Sequence, residues 1–192
     1  MRFLPTFKYR GNGSYTKPGR SIVVLLFCLL SSYTPAKNTP EYTVKAAFLI
    51  HFMDFATWPN SKSDGRTICI LGDSPFKKNV LASVKRQNQE ILIKYTSSLS
   101  DARGCHLLFI ARSEKYQLNQ ILTELANKPI LAVSDIKGFA GGNGMIELAT
   151  KSGKIKLLIN LKAVKLSGLK LSSNLIELAQ VVDTKTKPGV AK

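Results

Sequence analysis

The sequence predicts an α/β fold: a three-layer, mainly parallel sheet with flanking helices and a C-terminal antiparallel β-hairpin. Three observations predict it. Short, continuously apolar runs recur at Thr67–Gly72, Cys105–Ile110 and Ile130–Ser134, as in strands buried on both faces of a parallel sheet. Amphipathic stretches separate these runs, most cleanly over residues 114–127, which is the alternation of an α/β sheet. Lastly, Met145–Ala149 and Lys154–Asn160 flank Ser152-Gly153, the chemistry of a tight hairpin turn.

Ahead of this domain, residues 1–36 read as a secretory signal peptide. Arg2, Lys8, Arg10, Lys17 and Arg20, with no acid among them, precede the apolar run Ile22–Leu30 and the stretch Ser31–Ala36, and cleavage is expected after Ala36. That run is too short to span a bilayer as a stable helix, which disfavours an uncleaved anchor. Cys28 then leaves with the segment. Residues 37–183 form a single domain, and 184–192 a loose basic tail. The chain carries 28 basic and 12 acidic residues, and loss of residues 1–36 leaves 23 basic residues, a net charge of +11. The lysines are scattered singly, with no basic helix and no basic–aromatic interleaving. Nucleic acid is therefore not an expected partner, and a solvated basic surface is the plain reading.

The first helix is expected from Glu41 to Thr57. Val44, Ala47, Phe48, His51 and Phe55 share one face, and Leu49, Phe52, Met53 and Ala56 another. A helix apolar nearly all round is buried on both sides or shared with a partner. His51, among these residues, reads as a hydrogen-bonded core or interface histidine. Trp58-Pro59 ends the helix, because the residue before proline avoids helical angles, and Asn60–Arg66 is a polar turn.

After the strand at 67–72, Ser74 and Pro75 open a helix with Phe76, Val80, Leu81 and Val84 on its buried face. Ile91–Tyr95 is the next strand and 97–104 a loop. The helix at 114–127 carries a stripe at Leu118, Ile121, Leu122 and Leu125. Beyond the hairpin, Leu161–Leu166 is a short helix. Ser172-Ser173 caps a last one with Leu175, Ile176, Leu178, Ala179 and Val182.

Chemistry is sparse. Asp73 and Asp135 follow strands, where open parallel sheets bind ligands. They suggest a small-ligand crevice or, with less support, a hydrolytic carboxylate pair, although an Asp after a strand is more often a cap or turn residue. No Ser–His–Asp or Cys–His set has a recognisable context. Gly138–Gly144 matches neither the dinucleotide nor the Walker pattern. It also leads into a strand instead of a helix, so its glycines read as a turn. Cys69 and Cys105 form an even pair that reads, in an exported chain, as a disulfide before a thiol site. Two histidines and two remaining cysteines show no metal-ligand spacing, and no cofactor is expected.

Several spaced motifs together resemble the YfiR family over Glu41–Val182. They are Tyr42–Leu49 (YTVKAAFL), Phe52 to Trp58-Pro59, Ile68–Gly72, Cys105–Ile110, and Leu131–Asp135 with Phe139-Ala140. Gly144–Ile146, Lys154–Asn160, and Gly168–Ser173 with Leu178-Ala179 complete the set. The resemblance implies a dimeric periplasmic α/β protein with no enzymatic activity, which docks on the periplasmic domain of an inner-membrane signalling enzyme. That enzyme would be a diguanylate cyclase, held inactive by the docking, or a sensor kinase, and membrane association would come only through this partner. Cys69 and Cys105 match the family's widely seen bridge. A second pair, near the later strands of the best-understood member, is missing here, which implies different regulation. The docking residues expected are Phe139 and Asp135 of the glycine-rich loop, with Phe48 and Phe52 of the first helix. The rival expectation is a small-ligand receptor at Asp73 and Asp135.

Overall fold

The computed structural model describes residues 41–59, 66–76, 80–84 and 90–183. The expected signal peptide, the basic tail, the turn at 60–65 and part of the helix expected from Ser74 lie outside the described residues.

Helix α1 (Glu41–Phe55) stops two residues short of its expected end. Ala56–Thr57 (β1) instead pairs antiparallel with Lys170–Leu171 (β8), because Trp58-Pro59 has already pushed the backbone towards extended angles. Then come β2 (Arg66–Leu71), α2 (Val80–Val84), β3 (Ile91–Thr96) and β4 (Leu107–Ile110). A 3₁₀ turn over Arg112–Gln117 leads into α3 (Leu118–Leu125), followed by β5 (Leu131–Ser134). The hairpin strands are β6 (Ile146–Lys151) and β7 (Lys154–Ile159). Helix α4 (Leu161–Leu166), β8, α5 (Ser173–Glu177) and β9 (Gln180–Val181) close the chain.

Among the described residues one sheet has seven strands in the order β3-β2-β4-β5-β6-β7-β9. All pairs are parallel except the β6–β7 hairpin. The fold class expected from the sequence is therefore the one observed. The sheet grows from β2 to β3 in one direction and from β4 to β5 in the other. Right-handed crossovers then put α2 and α3 on opposite faces, and α1 packs beside α2. The buried strands supply the centre of the core, with Ile68, Ile70, Leu107, Leu108, Phe109, Leu131 and Val133 all at 0% exposure.

Three local departures have simple causes. The stretch expected as one helix over 114–127 begins as the 3₁₀ turn, and only Ile121 and Leu125 of its stripe are fully buried, with Leu118 and Leu122 packed at the margin. The last helix has Ser172 as its N-cap, accepting from the Leu175 amide, but ends at Glu177, since Gln180–Val181 joins the sheet beside β7. Leu178, expected within that helix, lies just past its end and is 76% exposed. Of the two places expected for His51, the core is excluded, since the residue is exposed and rests against the Phe55 ring.

Candidate functional site

The polar centre of the domain is built around Asp135, the residue after β5. Its carboxylate has three partners on one oxygen. Oδ2 accepts from Lys45 Nζ at 2.7 Å and from the Tyr42 hydroxyl at 2.9 Å, and it ion-pairs with the Arg112 guanidinium at 3.0 Å. The Lys45 and Asp135 side chains are both at 0% exposure, whereas Arg112 is 60% exposed. Lys45 also donates to Glu41, one turn earlier on α1, and Glu41 accepts from Thr150 Oγ1 on β6 at 2.7 Å. The start of α1 is thus tied to the ends of β4 and β5 by ion pairs and to β6 by a hydrogen bond.

The electrostatics follow from this arrangement. Burial, reinforced by the hydrogen bond to Asp135, pushes the Tyr42 phenol up to about 12, so it stays a donor throughout the physiological range. The hydrogen bonds from Lys45 and then Thr150 hold the Glu41 carboxyl below its usual range. Asp135 Oδ1 is buried and makes no hydrogen bond.

The loop after Asp135 is pinned from beneath. Glu147, buried in β6, accepts from the amides of Gly138 at 3.1 Å and Ala140 at 3.2 Å. Asn160 donates through Nδ2 to the Ala140 carbonyl at 3.1 Å, while its Oδ1 accepts from Ala163 and caps α4. As expected, the loop leads into a strand. Positive φ occurs at Gly138 and at Asn143. Gly144 is required for a different reason: a Cβ there would lie 2.3 Å from the Phe139 ring.

The sequence expectations for a docking surface need correction here. Phe139 and Phe52 are at 0% exposure and Asp135 at 5%, so none presents a side chain to a partner in this structure. Phe139 fills the space under Gly144, and Phe52 stacks at 6.0 Å on Phe48, the one half-buried ring of the four residues. Lys45, Tyr42, Arg112, Glu147 and Asn160 were not singled out by the sequence reading. One signal existed: Lys45 lies at i, i+4 and i+7 with Leu49 and Phe52, on the inward face of an apolar helix, where an unpaired lysine would not be tolerated.

The Asp135 end of the crevice at the strand carboxyl ends is closed by the protein itself. Asp73 is exposed, with its amide donating to Ser113 Oγ at 2.9 Å, while Asp135 lies beneath the first turn of α1. A ligand would have to displace that turn to reach it. No group of three or more metal-ligating side chains occurs among the described residues, and none of their helices is long and apolar enough to cross a membrane.

Cys69 on β2 is bonded to Cys105, which leads into the neighbouring strand β4, with a Cα–Cα distance of 5.9 Å. Beside Cys105 lies a surface cavity of about 400 Å³ walled by Trp58, His106 and Pro129. The Trp58 indole donates to the His106 carbonyl at 3.0 Å, and His106 Nδ1 accepts from the Thr67 amide at 3.2 Å. A second cavity of about 520 Å³ lies between α3 and α4.

The domain is thus a mainly parallel α/β sheet with a disulfide between β2 and the approach to β4, and a buried charge cluster that closes the Asp135 end of its carboxyl-end crevice. Residues 42–180 match the model of the YfiR/HmsC-like family, and the chain belongs to that family. No curated protein matches the chain.

Proposed function

We propose that this chain is an exported, non-enzymatic regulatory protein of the periplasm. It docks on the periplasmic domain of an inner-membrane diguanylate cyclase and represses it. The observation that carries this reading is the family match across residues 42–180. The disulfide supports export, because such bonds persist in oxidising compartments. The closed environment of Asp135 favours protein binding over the small-ligand alternative. Among the residues expected at the docking surface, the half-buried Phe48 of α1 is retained as a contact. Phe52, Phe139 and Asp135 act by holding α1 and the glycine-rich loop in place.

The test uses the oxidised mature protein and the purified periplasmic domains of the host's membrane diguanylate cyclases. Specific binding to one of them is expected, together with a rise in cellular cyclic-di-GMP when the chain's gene is deleted. No binding to any of them and no change in cyclic-di-GMP would sink the reading.

A further inference from the structure

The cavity beside the disulfide is apolar inside and cationic at its rim. Trp58 and Ile130, at 8% and 7% exposure, form its depth, and Pro59 and Pro129 its walls. Prolines have little side-chain freedom to lose, so the hollow is preformed and costs little to fill. Arg103 and Lys128 stand at the rim from two separate connections, the turn after Leu99–Ala102 and the loop between α3 and β5. Both are exposed, and among the described residues neither forms an ion pair with an acid and no acid lines the cavity. Arg103 Nε donates to the Ser100 carbonyl at 3.2 Å, which steadies the guanidinium while leaving its terminal nitrogens for another acceptor. His106 takes the Thr67 amide on Nδ1, so its ring proton sits on Nε2.

We infer that this hollow at the amino ends of β2 and β4 receives an acidic segment of the protein partner. One apolar side chain of the segment enters between Trp58 and the two prolines, and flanking carboxylates meet Arg103 and Lys128. The shape suits a single anchoring side chain, and the charge selects an acidic surround. The inference rests on the docking function proposed above and adds the surface used and the chemistry of the surface it meets.

The experiment compares the wild type with the double variant Arg103→Glu/Lys128→Glu, both oxidised, against the same purified cyclase periplasmic domains. Both positions are exposed, so an unchanged melting temperature and an intact Cys69–Cys105 bond are expected. Partner affinity should fall about tenfold or more, mostly through slower association, and the wild-type association rate should drop with added salt. A variant that binds within twofold of wild type overturns the cleft while leaving the docking function standing. If the variant instead changes only the mass of the protein's own assembly in light scattering, the cleft is a contact between copies and the inference fails. A wild type that binds no cyclase domain removes the functional reading and this inference with it.

Discussion

Replacing Lys45 or Asp135 singly should destabilise the domain far more than replacing Arg112, although all three belong to one cluster. At 2.7 Å, an effective dielectric of about 20 gives the Lys45–Asp135 pair roughly 6 kcal/mol of attraction. Removing two charges from water costs several kcal/mol for each ion. The net worth of the pair is therefore small, and the penalty comes from leaving one charge behind. For Lys45→Met the stranded group is Asp135, which keeps Tyr42 and Arg112 as partners. Asp135→Asn leaves the buried Lys45, which also lies over the Tyr42 ring, with Glu41 as its remaining counter-charge, and it puts an amide NH2 where Oδ1 now finds no partner. The expected losses are about 3 kcal/mol for Lys45→Met and about 4–5 kcal/mol for Asp135→Asn.

Arg112 bonds the same oxygen at 3.0 Å but is 60% exposed, so water replaces much of what it supplies. Arg112→Gln should cost no more than about 1 kcal/mol. Urea denaturation of the oxidised protein, read as midpoints at a shared m-value, separates these outcomes. Losses below about 1 kcal/mol for both buried substitutions, or a loss for Arg112→Gln equal to theirs, would refute the reasoning.

Three further outcomes follow from the same geometry. Gly144→Ala should cost about 1–3 kcal/mol through overlap with the Phe139 ring, whereas Gly141→Ala, with nothing within 4 Å of the new methyl, should stay within about 0.5 kcal/mol; equal costs in thermal melts would contradict this. Cys69→Ala/Cys105→Ala removes a cross-link closing 36 residues and should lose about 4 kcal/mol in the chain-entropy model, measurable as a shift in denaturation midpoint. Burial, aided by Arg66, holds His106 below its ordinary 6.5, so the unfolded chain binds the proton first: this contribution is complete above about pH 6.5 and fades as pH falls. His106→Asn should therefore flatten the stability change between about pH 7.5 and 5.5, and an unchanged slope would exclude His106 as its source. Glu41, held below its ordinary 4.5, adds a separate loss at lower pH by the same sign.

The sheet was legible because its signals are local. A fully buried strand must be apolar along its length, as Ile68–Leu71 and Leu107–Ile110 are. The hairpin turn must accept left-handed residues, and Ser152 and Gly153 both have positive φ. The Cys69–Cys105 bond was also legible, since with Cys28 assigned to the signal peptide the two cysteines of the domain allow one pairing. The charge cluster was not, because it joins residues 93 and 90 positions apart, and nothing in the local pattern around Asp135 names Tyr42 or Lys45. The exposure expected of Phe139 failed for a related reason. Its loop reads as surface from its glycines, yet Glu147 and Asn160 pin the backbone so that the ring turns inward under Gly144. Composition alone does not distinguish an exposed glycine-rich turn from one folded over an aromatic ring.

This distribution of polar and apolar groups bears on how a ligand-binding architecture would serve the regulatory role proposed above. In open parallel sheets the carboxyl-end crevice is the ordinary ligand site, and here the first turn of α1 closes its Asp135 end with a buried ion pair. Binding through Asp135 would require breaking that pair, at a cost of several kcal/mol before any contact was gained. At the amino ends of the strands no comparable plug covers the Trp58–Pro129 hollow among the described residues. Its walls are fixed by the Trp58–His106 hydrogen bond and, through Cys105, by the disulfide. A preformed hollow on a cross-linked frame loses little freedom on binding. Energetically, then, the rigid end of the sheet is the better docking platform, while the charged end serves to hold α1, and Phe48 with it, in one position.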